Sequence, residues 1–246
     1  MPNAIPPSAT HPKQTAMQQY RQLDEDQYVL LYDDFVGLST GKWTALQNGT
    51  PTATAAIQDG LGGIVKTFSD NVDDCYDGFA SPAESFIFNT TKPLSFAIRM
   101  KLTEVNTNNA NWCLGVSDTL TTGMLQTAGA GPIASYDGAI FFKLEEIMYI
   151  QFETSNAATQ VTNATLAVWT SGVWYQLGFD YDPNDGVTGK ITPWVYNETT
   201  GVKTIGAVHS ITISGLEEMH AFFQAGASST EVESIEVDKI KVVQLR

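Results

Sequence analysis

The chain closes on Val232-Glu233-Ser234-Ile235-Glu236-Val237-Asp238-Lys239-Ile240-Lys241-Val242-Val243-Gln244-Leu245, and this segment constrains the fold more than any other. Ile235, Val237, Ile240, Val242 and Leu245 are apolar, and Glu236, Asp238, Lys241 and Gln244 stand between them. Side chains that alternate with period two describe a strand with a dry face and a wet face, here with a phase slip near Lys239. A strand needs partners for its backbone groups, so this one belongs inside a sheet.

The same text continues upstream. Pro93 to Leu102 alternates cleanly, with Leu94, Phe96, Ile98, Met100 and Leu102 on one face. Trp174 to Tyr181 is an aromatic strand that runs into Asp182-Pro183-Asn184-Asp185-Gly186, where Pro fixes φ and Asn and Gly tolerate positive φ. Asp59-Gly60 is a hairpin signal between Ala53–Ile57 and Leu61–Phe68. Further strand text lies at Tyr28–Tyr32, in the apolar run Phe79–Phe88, and at Trp112–Val116, Ala139–Leu144, Ile147–Phe152, Thr165–Trp169, Ile191–Tyr196, Val208–Ile213 and Met219–Ala225. Glu145-Glu146 reads as a hairpin tip. About a dozen strands without a long helix predict an all-β protein, a two-sheet antiparallel jelly-roll sandwich.

Residues 1–27 differ. Pro2, Pro6, Pro7 and Pro12 favour extended backbone, and Met17, Tyr20 and Leu23 form a short apolar stripe. The expected organisation is an extended N-terminal arm over 1–27, with a reach on the order of 80 to 90 Å, and one β-sandwich domain over 28–246. The first residues lack the apolar stretch of a secretory signal, and no apolar run is long enough for a membrane-spanning helix.

The net charge of −14 predicts no nucleic-acid partner and no membrane partner. Charged residues are only 16%, so the wet faces must be filled largely by Thr, Ser, Asn and Gln. The two cysteines, Cys75 and Cys113, are too few for a disulfide framework, and buried thiols are the favoured reading over a single bridge.

Chemistry is sparse. The three histidines, His11, His209 and His220, have no metal-ligand spacing, and neither a nucleophile elbow nor a phosphate loop is present. Glu236 and Asp238 share a face and are the nearest approach to a glycosidase carboxylate pair, although an exposed strand face accounts for them better. Asp70-Asn71-Val72-Asp73-Asp74 and Asp180 to Asp185 leave a structural calcium open, with turn chemistry the simpler reading of the second. Trp43, Trp112, Trp169, Trp174 and Trp194 are candidates for sugar stacking or, more often in β text, for core packing. The Asn-x-Thr sites at Asn48, Asn89, Asn163 and Asn197 read as loop polarity.

Asp33-Asp34-Phe35 followed by Lys42-Trp43, the strand Pro93–Leu102, the strand Trp174–Asp182 and the closing Val237–Val242 together resemble the concanavalin A-like, or laminin G-like, jelly-roll group. The compact acidic format with a polar leader resembles the members of that group found in tailed-bacteriophage virions, which serve as capsid decoration or cement proteins. That resemblance implies a non-enzymatic protein on the outer capsid surface. It implies a homotrimer, with the major capsid protein as partner and Ile5, Met17, Tyr20, Arg21 and Leu23 of the arm as contacts. The alternative is a lectin-like module for host glycans, and a glycan hydrolase or lyase comes third.

Overall fold

The computed structural model describes residues 28–38, 41–47, 56–58, 63–69, 72, 75–106, 109–121, 123–126, 131–227 and 231–245. These form two antiparallel sheets, and no α-helix occurs among the described residues. The leader and its five expected contacts, Ile5, Met17, Tyr20, Arg21 and Leu23, lie outside them.

The closing strand β16 (Ser234–Leu245) organises the nine-stranded sheet. One edge pairs along its length with β6 (Leu94–Thr103). The other edge is shared, Ser234 to Val237 pairing with β4 (Ile64–Phe68) and Ile240 to Leu245 with β1 (Tyr28–Asp33). The phase slip is a β-bulge: Val237 faces Met100 and Lys239 faces Arg99, so Asp238 is the extra residue. The bulge lets Ile235 and Val237 before it, and Ile240 and Val242 after it, all enter the core.

Beyond β6 the sheet continues through β11 (Trp174–Asp182) to β12 (Thr188–Asn197), whose far edge carries β13 (Val202–Ile205) and β14 (His209–Thr212). On the opposite margin β3 (Ala56–Gln58) pairs with β4 as the expected hairpin, Ala56 facing Lys66. The seven-stranded sheet runs β10 (Thr159–Val168), β9 (Tyr149–Asn156), β8 (Gly138–Lys143), β7 (Ala110–Ser117), β15 (His220–Ala227), β5 (Tyr76–Ala80) and β2 (Thr44–Gln47).

Leu94, Phe96, Ile98, Met100 and Leu102 all face the core between the sheets, as their alternation requires. They meet Leu114, Val116, Phe141, Phe152 and Phe223 from the other layer, and Phe96 stacks on Phe179 with ring centroids 5.3 Å apart. Each such side chain contributes roughly 1.5–3 kcal/mol on burial. A second cluster covers the opposite face of the seven-stranded sheet. There Met124, Leu125 and Tyr136, from the connection between β7 and β8, pack on Cys113, Ile140, Phe142 and Phe222. β7 and β8 are therefore buried at every position. That is why Ala139 to Phe142 reads as an unbroken apolar run.

Two sequence readings differ from the structure. Only the first residues of the Phe79–Phe88 run are strand. β5 stops at Ala80, and Phe86 and Phe88 reach the core from irregular backbone after Pro82, which has no N–H to give a ladder. The strand expected at Thr165–Trp169 begins at Thr159, because its first half is polar and solvent-facing and carries no apolar period.

Candidate functional site

The residues that carried the fold resemblance meet in space. Asp33 closes β1 and accepts hydrogen bonds from the Phe35 N–H and from Trp43 Nε1, both at 2.8 Å. Phe35 takes a positive φ of 52°, and its ring packs 5.5 Å from that of Trp43.

Trp43, Trp112 and Trp169 are buried in the core, Trp169 stacking on Tyr175 at 5.0 Å. Trp174 and Trp194 lie on the outer face of the nine-stranded sheet, and their rings are already faced by cations. The Arg99 guanidinium stands 4.0 Å from the Trp174 centroid, and Lys203 Nζ stands 4.5 Å from that of Trp194. The five tryptophans do not form one platform.

Glu236 and Asp238 are not left to solvent alone. Glu236 pairs with Lys101 at 2.8 Å and Lys66 at 3.4 Å, and Asp238 pairs with Arg99 at 3.1 Å. Arg99 also makes a two-bond fork with Glu198, which holds that carboxyl below its ordinary value. Glu145 and Glu146 form the β8–β9 turn.

Two carboxylates approach each other at the sandwich end near the β6–β7 loop. Glu104 is paired with Lys143 at 2.8 Å, and Glu233 lies near enough to feel its charge. Burial first, and repulsion from Glu104 after it, push the Glu233 carboxyl up to about 7, while burial pulls the Lys143 ammonium down. Lys143 and Glu233 are 0% exposed, so no substrate reaches this cluster. Glu153, on β9, accepts hydrogen bonds from Tyr136 Oη and Thr162 Oγ1, and burial raises its pKa.

The Asp182–Asp185 segment is a self-capped turn. Asp182 accepts from the Asn184 N–H, Asp185 accepts from the Val187 and Thr188 N–H groups, and Asn184 has a φ of 53°. Asp180 instead accepts from Ser95. Among the described residues no three His, Cys, Asp or Glu side chains gather as a metal-ligand set. Asp70, Asn71, Asp73 and Asp74 of the other acidic cluster lie outside the described residues. Asn89 and Asn197 cap their own turns, their Oδ1 atoms each accepting from two following N–H groups. Cys75 and Cys113 are not joined, and burial pushes the Cys113 thiol up.

The cavity with the most distinctive chemistry lies where the two sheets meet, between β14 and the β9–β10 hairpin. It measures about 270 Å³. Exposed Thr159, Ser210, Thr212 and Ser214 bring hydroxyls to it, Asn156 a carboxamide and Val161 apolar surface, while Thr154 and Ile211 are buried behind them. None of the lining residues is ionisable, and the Lys190 ammonium donates to Ser210 Oγ at 2.6 Å from beside the groove.

Its shape follows from local structure. Thr154 is buried on β9 and bonds His209 Nδ1 at 3.1 Å, and burial pushes the His209 imidazole below its ordinary value. His209 packs on Phe152 at 5.1 Å, fixing β14 against β9. Asn156 donates from Nδ2 to the carbonyls of Thr212 and Ser214, tying the far end of β14 to the same hairpin. Alternation turns Ser210 and Thr212 outward and Ile211 inward. A row of preset hydroxyls over a small apolar floor can exchange hydrogen bonds with a neutral polyol. Sequence reasoning missed this groove because three separate strands supply it and no motif joins them.

No family model and no curated protein matches the chain. Solved structures do. Peanut lectin aligns with a TM-score of 0.63 at 10% identity, over 89% of this chain and 97% of that one. A lectin complexed with galactose, UEA-II, aligns at 0.60 and 10% identity, over 89% and 99%. A protein of unknown function from Shewanella oneidensis MR-1 aligns at 0.58 and 13% identity, over 89% and 87%.

Proposed function

From a fold shared with legume lectins, the concanavalin A-like β-sandwich, we propose that this protein is a carbohydrate-binding module that takes a neutral saccharide in the groove between β14 and the β9–β10 hairpin. One observation carries the reading: exposed Thr159, Ser210, Thr212 and Ser214 bring hydroxyls and Asn156 a carboxamide to a groove that no carboxylate lines, with the Lys190 ammonium bonded to Ser210 Oγ. Such a lining matches a ligand whose polar groups both donate and accept. Val161, 43% exposed, provides apolar contact for the C–H face of a pyranose. A groove this open and shallow in apolar surface fits modest affinity, of about 0.1–1 mM for a single sugar. A glycan array tests it. Retention of neutral hexose-containing glycans supports the module, and no retention of any neutral glycan overturns it.

The second reading is a homotrimeric decoration protein bound to the major capsid protein on the outer surface of a virion. It draws on the acidic balance and on the leader, with Ile5, Met17, Tyr20, Arg21 and Leu23 as contacts. Co-sedimentation with assembled phage shells tests it. A chain without residues 1–22 that still folds but no longer sediments supports the arm, and unchanged sedimentation removes it.

A further inference from the structure

A strongly acidic chain has gathered most of its cations on one surface. Of the 13 basic residues, Lys66, Arg99, Lys101, Lys203, Lys239 and Lys241 stand on the outer face of the nine-stranded sheet, with Lys190 further along β12. Their placement follows from alternation, because the residues on either side of Lys66, Lys101 and Lys241 point into the sandwich.

The pairing register sets them in rows. Lys239, Arg99, Gln176, Tyr196 and Lys203 line up across β16, β6, β11, β12 and β13. At roughly 4.8 Å per strand this row spans about 19 Å. In the next row Lys241, Ala97, Gly178 and Trp194 are neighbours, and the small residues keep the floor low. Of the carboxylates on the face, Glu198, Glu236 and Asp238 are drawn into ion pairs with Arg99, Lys101 and Lys66, Asp180 accepts from Ser95 and lies within reach of the Lys203 charge, and Asp182 stands opposite Lys190, so the seven cations still outnumber them. Lys203 and Lys239 are exposed at the two ends of the row.

We propose that this face is a second binding surface, which takes an anionic polysaccharide, a chain of uronate or sulfated sugars laid across the strands from Lys239 to Lys203. Charge complementarity selects the sign of the ligand, since the rest of the molecule repels polyanions. The composition selects the class. The centre of a protein–protein interface is depleted in lysine and other charges, whereas here cations occupy the middle of the face beside Trp174, Trp194 and Tyr196. A uronate or sulfated pyranose chain offers anionic groups for the cations, and Tyr196, in the same row, offers an aromatic neighbour for its C–H faces. The proposal does not depend on the neutral-saccharide groove, which lies at the β14 margin.

The test uses the full chain on immobilised polygalacturonate and heparin, beside duplex DNA and polyglutamate as polyanions of other classes. The wild type is expected to be retained on at least one of the polysaccharides at about 20 mM salt and released well before 1 M, as screening requires. The K203E/K239E variant should bind about tenfold more weakly or worse. Both positions are exposed, and an unchanged melting temperature and unchanged neutral-glycan binding will show the fold intact. No retention of the wild type on either polysaccharide overturns the proposal. So does equal retention of the variant, or stronger retention on DNA or polyglutamate.

Discussion

The ammonium of Lys143 and the carboxylate of Glu104 form an ion pair of 2.8 Å inside the protein, with side-chain exposures of 0% and 2%. Lys143 also donates to the carbonyls of Ala110 and Leu144, and Glu104 accepts from the Ala110 N–H and from Trp169 Nε1. The pair thus ties the end of β8, the start of β7 and the Trp169 ring to the β6–β7 loop.

Removing the cation leaves a buried charge without its partner. K143M is expected to lose about 3–5 kcal/mol in urea unfolding. The double variant K143M/E104Q should recover a good part of that loss, since neither member of the pair is then left without its partner. A single variant as stable as the wild type would show that the pair contributes nothing.

Glu233 adds a pH dependence beside it. One carboxylate oxygen accepts from the Val105 N–H, and the other, Oε1, is buried without a hydrogen-bond partner among the described residues. Its folded pKa is raised to about 7, above that of the unfolded chain. The unfolded state therefore gives up this proton first, and the contribution to stability, complete at acid pH, falls as pH rises through about 7. Relative to E233Q, the wild type should lose on the order of 2 kcal/mol between pH 5 and pH 8. Parallel stability curves for the two would remove the assignment.

Gly178 holds its place because Trp194 lies on it. A Cβ there would collide with the Trp194 ring and with the Phe96 carbonyl oxygen. The ring could turn aside, but the backbone of β6 cannot. G178A is expected to cost about 1–3 kcal/mol and to shift the tryptophan emission. Unchanged emission together with unchanged stability would contradict this packing.

Arg99 joins three strands through Glu198, Asp238 and the Trp174 ring. Lysine keeps the charge and loses the planar fork. R99K should cost about 1 kcal/mol, and the loss should be unchanged in 0.5 M salt if stacking rather than screened charge carries it. A loss that vanishes in salt would assign the effect to the ion pairs alone.

The fold was legible where one face of a strand is wet. Leu94 to Leu102 and Ile235 to Val242 alternate because their outer neighbours meet solvent, and even the bulge at Asp238 left its mark as a phase slip. β13 was not legible, because Val202 to Ile205 is short and mostly exposed. Nor was the fate of the seven-stranded sheet's outer face. Ile140 and Phe142 face a connection whose cover is decided by Met124, Leu125 and Tyr136, which show no period. The groove was hidden for a related reason. Thr154, Thr159 and Ser210 are ordinary strand residues in the sequence, and only the His209–Thr154 and Asn156–Thr212 bonds bring them together. The favoured reading of the tryptophans as packing residues holds for Trp43, Trp112 and Trp169, whereas residue type alone does not reveal that Arg99 and Lys203 cover the rings of the other two.

The most direct measurement is a map of amide chemical shifts in the labelled protein on titration with neutral mono- and disaccharides, galactose among them, at millimolar concentration. The account predicts saturable shifts grouped at Thr154, Asn156, Thr159, Ser210 and Thr212, and their loss in S210W. Shifts that gather elsewhere on the molecule, or none at all across the panel, would contradict it.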